Sequence, residues 1–115
     1  MLALNQWQPT APIVGLLTDI DDTLTTEGSV PDNVVQAIAA LKAKGLAVVP
    51  ITGRPVGWSV PFAAAWPVDA IVAENGAVAL RRNANGGLDK LYQQDEATRI
   101  ANFAKMQAVL TQIEQ

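Results

Sequence analysis

Three apolar runs of strand length, each ending abruptly in a polar cluster, constrain this chain more than any other feature. Residues 13–18 run into Asp19-Ile20-Asp21-Asp22, residues 46–51 into Thr52-Gly53-Arg54-Pro55, and residues 70–73 into Glu74-Asn75-Gly76. Runs that are apolar throughout suit strands covered on both faces, as in a parallel sheet. Helical spacing fills the gaps between them. Pro31 opens the first helix with Asp32 in its first turn, Val34, Val35, Ile38 and Leu41 form one apolar face, and Gly45 closes it after Lys42 and Lys44. Residues 56–66 form a second helix despite Gly57 and Pro61, and Pro50 belongs near the end of its strand. Strand–helix–strand–helix–strand is the order of a parallel sheet with right-handed crossovers.

The pattern then changes. Residues 77–82 and 88–93 are strand candidates around the hairpin-like turn Asn83-Ala84-Asn85-Gly86-Gly87. A last helix covers about 95–114, with Ile100, Phe103, Met106, Leu110 and Ile113 spaced three, three, four and three apart. If this stripe does not pack back on the core, it is an association surface for a homo-oligomer. Residues 1–12, with Pro9 and Pro12, are a short lead-in, and residues 23–30 are a loop or small flap.

Composition narrows the chemistry. The 115 residues include no cysteine and no histidine, which removes thiolate nucleophiles, imidazole bases and the usual ligands of zinc. Catalysis must run on carboxylates, hydroxyls, Lys or Arg, and a metal would be a hard cation held by oxygen. The formal charge is −3 and Arg81-Arg82 is the one adjacent basic pair, so nucleic acid is not an expected partner. No membrane-length apolar run or secretory leader is evident, and a cytoplasmic location is the expectation.

In an open α/β sheet the carboxyl ends of parallel strands face one crevice, where ligands bind. All three polar clusters belong there. In an extended strand end Asp19 and Asp21 point to the same side. Two converging carboxylates need a cation to offset their repulsion, and Mg²⁺ suits them. A shielded carboxylate can attack phosphorus, and a neighbour two residues on can trade protons with the leaving oxygen and with water. Thr52 offers a hydroxyl and Gly53 a closely approachable amide to phosphoryl oxygens. The plainer alternative for the first cluster is a solvated turn capped by Asp22. Trp7, Trp58 and Trp66 are expected to pack, Trp58 alone lying next to the Arg54 loop.

Residues Thr18-Asp19-Ile20-Asp21-Asp22-Thr23-Leu24 resemble the first motif of the haloacid-dehalogenase-like (HAD) phosphohydrolases. Ile51-Thr52-Gly53-Arg54-Pro55 resembles their second motif in the Cof-type form, subclass IIB, which includes trehalose- and sucrose-phosphate phosphatases. Glu74-Asn75-Gly76-Ala77 is similar to the strand ending that precedes the mobile cap of that subclass. The resemblance implies a Rossmann-like, three-layer α/β core, partial over residues 1–82, with a cap beginning as a hairpin and terminal helix over 83–115. It implies Asp19 as nucleophile and Mg²⁺ ligand, Asp21 as general acid/base and as a metal ligand through its main-chain carbonyl, and Thr52 on the phosphoryl group. Ile20, Gly53, Arg54 and Asn75 are implied at the phosphate or substrate. The implied reaction is hydrolysis of a small phosphorylated metabolite, such as a sugar phosphate, through an aspartyl-phosphate.

The family's lysine and its second acidic pair have no counterpart in this sequence, so the 115 residues alone are expected to be weakly active or inactive. Two other readings compete. One is a non-catalytic fragment or binding module sharing the same motifs. The other is a receiver-like phosphoacceptor domain, which would need an acceptor Asp at the third strand end, where Glu74-Asn75 stands.

Overall fold

The computed structural model describes residues 2–115. Its element order is β1 (Gly15–Asp19), α1 (Asp32–Ala43), β2 (Ala47–Ile51), α2 (Val56–Ala65), β3 (Ala70–Ala73), β4 (Val78–Arg82), β5 (Leu88–Tyr92) and α3 (Glu96–Glu114). All eight elements fall where the apolar pattern places them. The five strands make one sheet in sequence order, with β1, β2 and β3 parallel and β4 and β5 antiparallel. Pro50 is the penultimate residue of β2.

Side-chain alternation gives the sheet two faces. On one, Val48, Ile71 and Leu80 are fully buried and join Ile20, Ile38 of α1 and Ala63 of α2 in a single core. The opposite face follows from the register: Leu17 beside Val49, then Ile51, Val72, Ala79 and Leu91 in line across four strands. That face is open, with Leu17 69% and Leu91 49% exposed.

One expectation is corrected here. The run at residues 13–18 was expected to be covered on both faces. Instead β1 is the edge strand, pairs only with β2 among the described residues, and carries no buried residue. An edge strand at the margin of a one-sided core has neither a second neighbour nor a second layer to bury it.

Asp69 ties the sheet together before β3 begins. Its backbone N–H donates to the Val48 carbonyl (3.0 Å), and its carboxylate accepts from the Val48 N–H (2.7 Å) and from Lys42 Nζ. Burial pushes the Asp69 carboxyl up, but the Lys42 and backbone hydrogen bonds outweigh it and hold the group below the ordinary carboxylate range.

The hairpin turn is built by Asn83, whose Oδ1 accepts from the N–H groups of Asn85 (3.0 Å) and Gly87 (2.9 Å). Helix α3 starts on Asp95, whose carboxylate accepts from Thr98 N–H at 2.7 Å and is thereby held below its ordinary pKa. The helix buries none of its residues. The molecule measures 57 Å along its longest axis and has a radius of gyration of 17.7 Å, against about 13 Å for a compact chain of this size. No helix among the described residues is long and apolar enough to cross a membrane.

Candidate active site

The site begins where β1 stops. After Asp19 the chain inserts Ile20 into the core with no exposed surface. The Ile20 carbonyl then accepts from the N–H groups of Thr23 (3.2 Å), Leu24 (2.9 Å) and Thr25 (3.1 Å), which winds residues 21–24 into a tight turn. Strand alternation therefore ends at Ile20 and does not place Asp21, as the sequence reading assumed. What places Asp21 is Arg54, whose Nε and Nη2 donate to its two carboxylate oxygens at 3.2 and 3.0 Å. These hydrogen bonds, with the guanidinium charge, hold the Asp21 carboxyl below the ordinary range and raise Arg54 in turn. The other side of Arg54 lies over the Trp58 ring, 4.7 Å from its centroid.

Asp19 stands apart from this pair. Its exposed carboxylate accepts from Thr23 Oγ1 at 3.2 Å and makes no ion pair among the described residues. Its strand partner is Ile51, the residue before Thr52, so the register alone sets the two strand ends side by side. Thr23 shapes this turn through its N–H on the Ile20 carbonyl and also steers the Asp19 carboxylate. The signal was its place four residues on, within reach once the chain turns helically.

The second and third strand ends are locked together. Thr52 is 3% exposed; its N–H donates to Val72 O (2.8 Å), its carbonyl accepts from Asn75 N–H (3.2 Å), and its Oγ1 accepts from Arg54 N–H (3.1 Å). That leaves the Thr52 hydroxyl proton available for an incoming oxygen. Glu74, Asn75 and Gly76 form a 3₁₀ turn with three successive positive φ values, 52°, 55° and 100°. It is held by Glu74 N–H on Arg54 O (3.0 Å) and by Val56 N–H on Glu74 Oε1 (3.0 Å). Non-glycine residues adopt such angles at a cost that this bonding offsets. Asn75 thereby presses against Gly53, its Oδ1 2.9 Å from where a β-carbon on Gly53 would sit. Glu74 was not a candidate, yet it fixes the turn; its place beside the Asn75-Gly76 pair was the only signal.

Asp21, Thr52, Gly53, Arg54 and Asn75 are thus brought together, with Ile20 as their buried anchor and Asp19 at the margin. The described residues hold no group of three acidic side chains suited to a metal. The exposed Asp19 carboxylate and the Asp21 main-chain carbonyl are the oxygens that would hold Mg²⁺, which commonly takes one or two carboxylates and completes its shell with water and substrate phosphate. Asp19 is the free carboxylate of the two, since Arg54 occupies both side-chain oxygens of Asp21 and leaves its main-chain carbonyl untouched.

The family described as haloacid dehalogenase-like hydrolase matches residues 16–115. Among solved structures, a phosphatase of that superfamily from Bacteroides thetaiotaomicron is 24% identical with a TM-score of 0.63, the match covering 95% of this chain and 40% of that one. A member of a phosphoryl-transfer superfamily, studied for its trigonal-bipyramidal intermediate, is 25% identical with a TM-score of 0.55, over 72% of this chain and 32% of that one. A Geobacillus kaustophilus protein of unassigned function is 24% identical with a TM-score of 0.58, over 83% and 36%. This chain therefore spans 40% or less of the length of each of these three structures. No curated protein matches the sequence.

Proposed function

The chain belongs to the haloacid dehalogenase-like hydrolases, and on that premise we propose that its strand ends form the nucleophile and phosphate-holding part of a phosphohydrolase site. The observation that carries this reading is the strand register, which sets Asp19, with no ion pair among the described residues, beside the strand end where a buried Thr52 keeps its hydroxyl proton free. In the proposed reaction an Asp19 carboxylate oxygen attacks phosphorus, the ester P–O bond breaks, and Asp21 delivers a proton to the leaving oxygen. Water then attacks phosphorus, Asp21 takes its proton, and phosphate leaves Asp19 restored. Thr52 Oγ1 and the Gly53 amide hold the phosphoryl oxygens, with Ile20 anchoring the loop and Asn75 shaping the Gly53 wall. Mg²⁺, when bound at Asp19 with Asp21 beside it, supplies charge compensation to the nucleophile and phosphate.

Arg54 sets the order of events. While it holds both oxygens of Asp21, that carboxyl stays ionised and cannot act as an acid. A phosphate ester that draws Arg54 onto its own oxygens frees Asp21 to carry a proton. The substrate class is a small phosphorylated metabolite, sugar phosphates included, and the setting cytoplasmic. On the same reading residues 1–82 are the front of a catalytic core and residues 83–115 open a cap.

Release of nitrophenolate from 4-nitrophenyl phosphate in Mg²⁺ tests the reaction. Asp19 has no cation within ion-pair distance among the described residues, so turnover by these 115 residues is expected to be slow. Asp19→Asn is expected to lower it at least ~100-fold. A rate unchanged by Asp19→Asn would overturn the assignment. The unpaired Asp19 also favours a second reading, a module that binds phosphate esters without cleaving them; binding with no Asp19-dependent turnover selects it.

We also propose that Ile100, Phe103, Met106 and Leu110 of α3, 46–64% exposed, join two copies of the chain. A monomer mass by light scattering at high concentration would refute this.

A further inference from the structure

A groove of about 290 Å³ runs between the flap and α2, on the far side of Arg54 from Asp21. One wall is an aromatic ladder along α2. Trp58 and Phe62 lie 4.6 Å apart between centroids, Phe62 and Trp66 4.8 Å, with tilts of 46° and 43°. The other wall is the flap, which adds Thr25, Ser29 and Val30. The flap is a narrow ribbon closed by two hydrogen bonds between Thr26 and Ser29, 2.8 and 3.2 Å.

Two lining residues of the groove, Trp58 and Thr25, also touch the candidate site or the turn beside it. Arg54 bridges from the Asp21 carboxylate to the Trp58 ring. Thr25 accepts the Asp22 N–H on its Oγ1 at 2.8 Å. The guanidinium that holds Asp21 therefore also touches the aromatic wall of the groove. Packing alone does not explain this wall. Trp66 is buried in the core, but Trp58 and Phe62 are only partly buried and keep ring surface towards the groove. Partly buried aromatic side chains lining a groove favour another planar ring, and the Thr25 and Ser29 hydroxyls at the opposite lip suit polar atoms on its edge.

We propose that this groove takes a planar aromatic group carried by the phosphorylated ligand, Trp58 being the face on which that group packs. The proposal deepens the phosphohydrolase reading and rests on it. It separates aryl phosphates from alkyl phosphates as ligands, by a margin of about tenfold in affinity, the size of one aromatic contact.

Titration of the ¹⁵N-labelled chain in Mg²⁺ with phenyl phosphate, methyl phosphate and inorganic phosphate tests it. The Gly53 amide reports the phosphate position, and the Trp58 indole N–H reports the groove. All three ligands are expected to move Gly53. Because any phosphate that draws on Arg54 also disturbs the ring beneath it, all three ligands are expected to move the Trp58 indole, but phenyl phosphate by clearly more, and to bind about tenfold more tightly than methyl phosphate. Trp58→Leu is expected to bring that ratio close to one. The unsubstituted chain decides the matter by itself if Trp58→Leu does not fold. Phenyl phosphate that moves Gly53 but moves the Trp58 indole no further than methyl phosphate does overturns the groove and leaves the phosphate site standing. No response at Gly53 to any ligand overturns the phosphate site, and the groove with it.

Discussion

The two faces of the sheet come from the same stretches of sequence and have opposite fates. Val48, Ile71, Val78 and Leu80 point one way and are 0–1% exposed, while Leu17, Ile51 and Leu91 point the other and are 37–69% exposed. Their hydrophobicity is alike; what differs is that α1 and α2 both feed the first face. Apolar residues on both sides of a strand are the signature of a sheet meant to be covered twice. Fold position, not residue type, therefore decides how much each side chain stabilises the structure.

The largest test of that difference is a matched pair of truncations. Ile71→Ala removes a fully buried side chain at the centre of the core and is expected to cost about 3 kcal/mol. Leu17→Ala removes a side chain that is 69% exposed and is expected to change stability by less than ~0.5 kcal/mol. Urea unfolding of the two variants reads both. A cost above 2 kcal/mol at Leu17 would mean that the open face is covered in solution, and the contrast between faces would fail.

Next in size is Asp69, which joins α1 to the start of the second and third strands on the covered side. Its folded pKa lies below the unfolded 3.8. The stabilisation is therefore fully present above that unfolded value and is lost as pH falls through the folded one. Asp69→Asn keeps the shape but weakens the Lys42 and Val48 hydrogen bonds. The expected cost is about 1 kcal/mol at neutral pH, because the pair is a third exposed and partly screened. Urea midpoints measured from pH 7 down to pH 3 should converge for the two proteins at the acid end. Curves that stay parallel would remove Asp69 from the acid-labile contacts.

Much of this was legible in the sequence because strand ends announce themselves. An apolar run stopping at Asp19, Thr52 or Glu74 fixes both the strand and the place of its polar cluster, and parallel order then gathers the three clusters at one end. The hairpin was equally plain, since Asn83 and Gly86 are the residues such a turn requires. Geometry within the turns was not legible. Asp21 looked like an extended residue paired with Asp19, but three amides on the Ile20 carbonyl wind the chain away, and Arg54, thirty-three residues on, takes its carboxylate. Periodicity carries no information about such a partner. Nor could it tell that β1 would be an edge, because an edge strand that is apolar throughout carries the same pattern as a central one.

The smallest expected effect on stability carries the sharpest information about the site. A β-carbon at Gly53 would lie 2.9 Å from Asn75 Oδ1, whereas one at Gly57, in α2, would meet nothing within 4 Å. Gly57→Ala should therefore stabilise the helix by roughly 0.5–1 kcal/mol through lower unfolded-chain entropy. Gly53→Ala gains a similar entropy term but must push the Asn75 amide aside. That amide is the free end of a side chain, so the net change in stability is expected to stay within about 0.5 kcal/mol. The displaced amide nonetheless narrows the approach to the Gly53 N–H. Methyl phosphate binding, followed by titration in Mg²⁺, should weaken several-fold in Gly53→Ala, on the order of the loss of one well-aimed hydrogen bond. Were Gly53→Ala to bind phosphate as well as Gly57→Ala does, the close approach at Gly53 would be a packing detail and not a wall of the phosphate site.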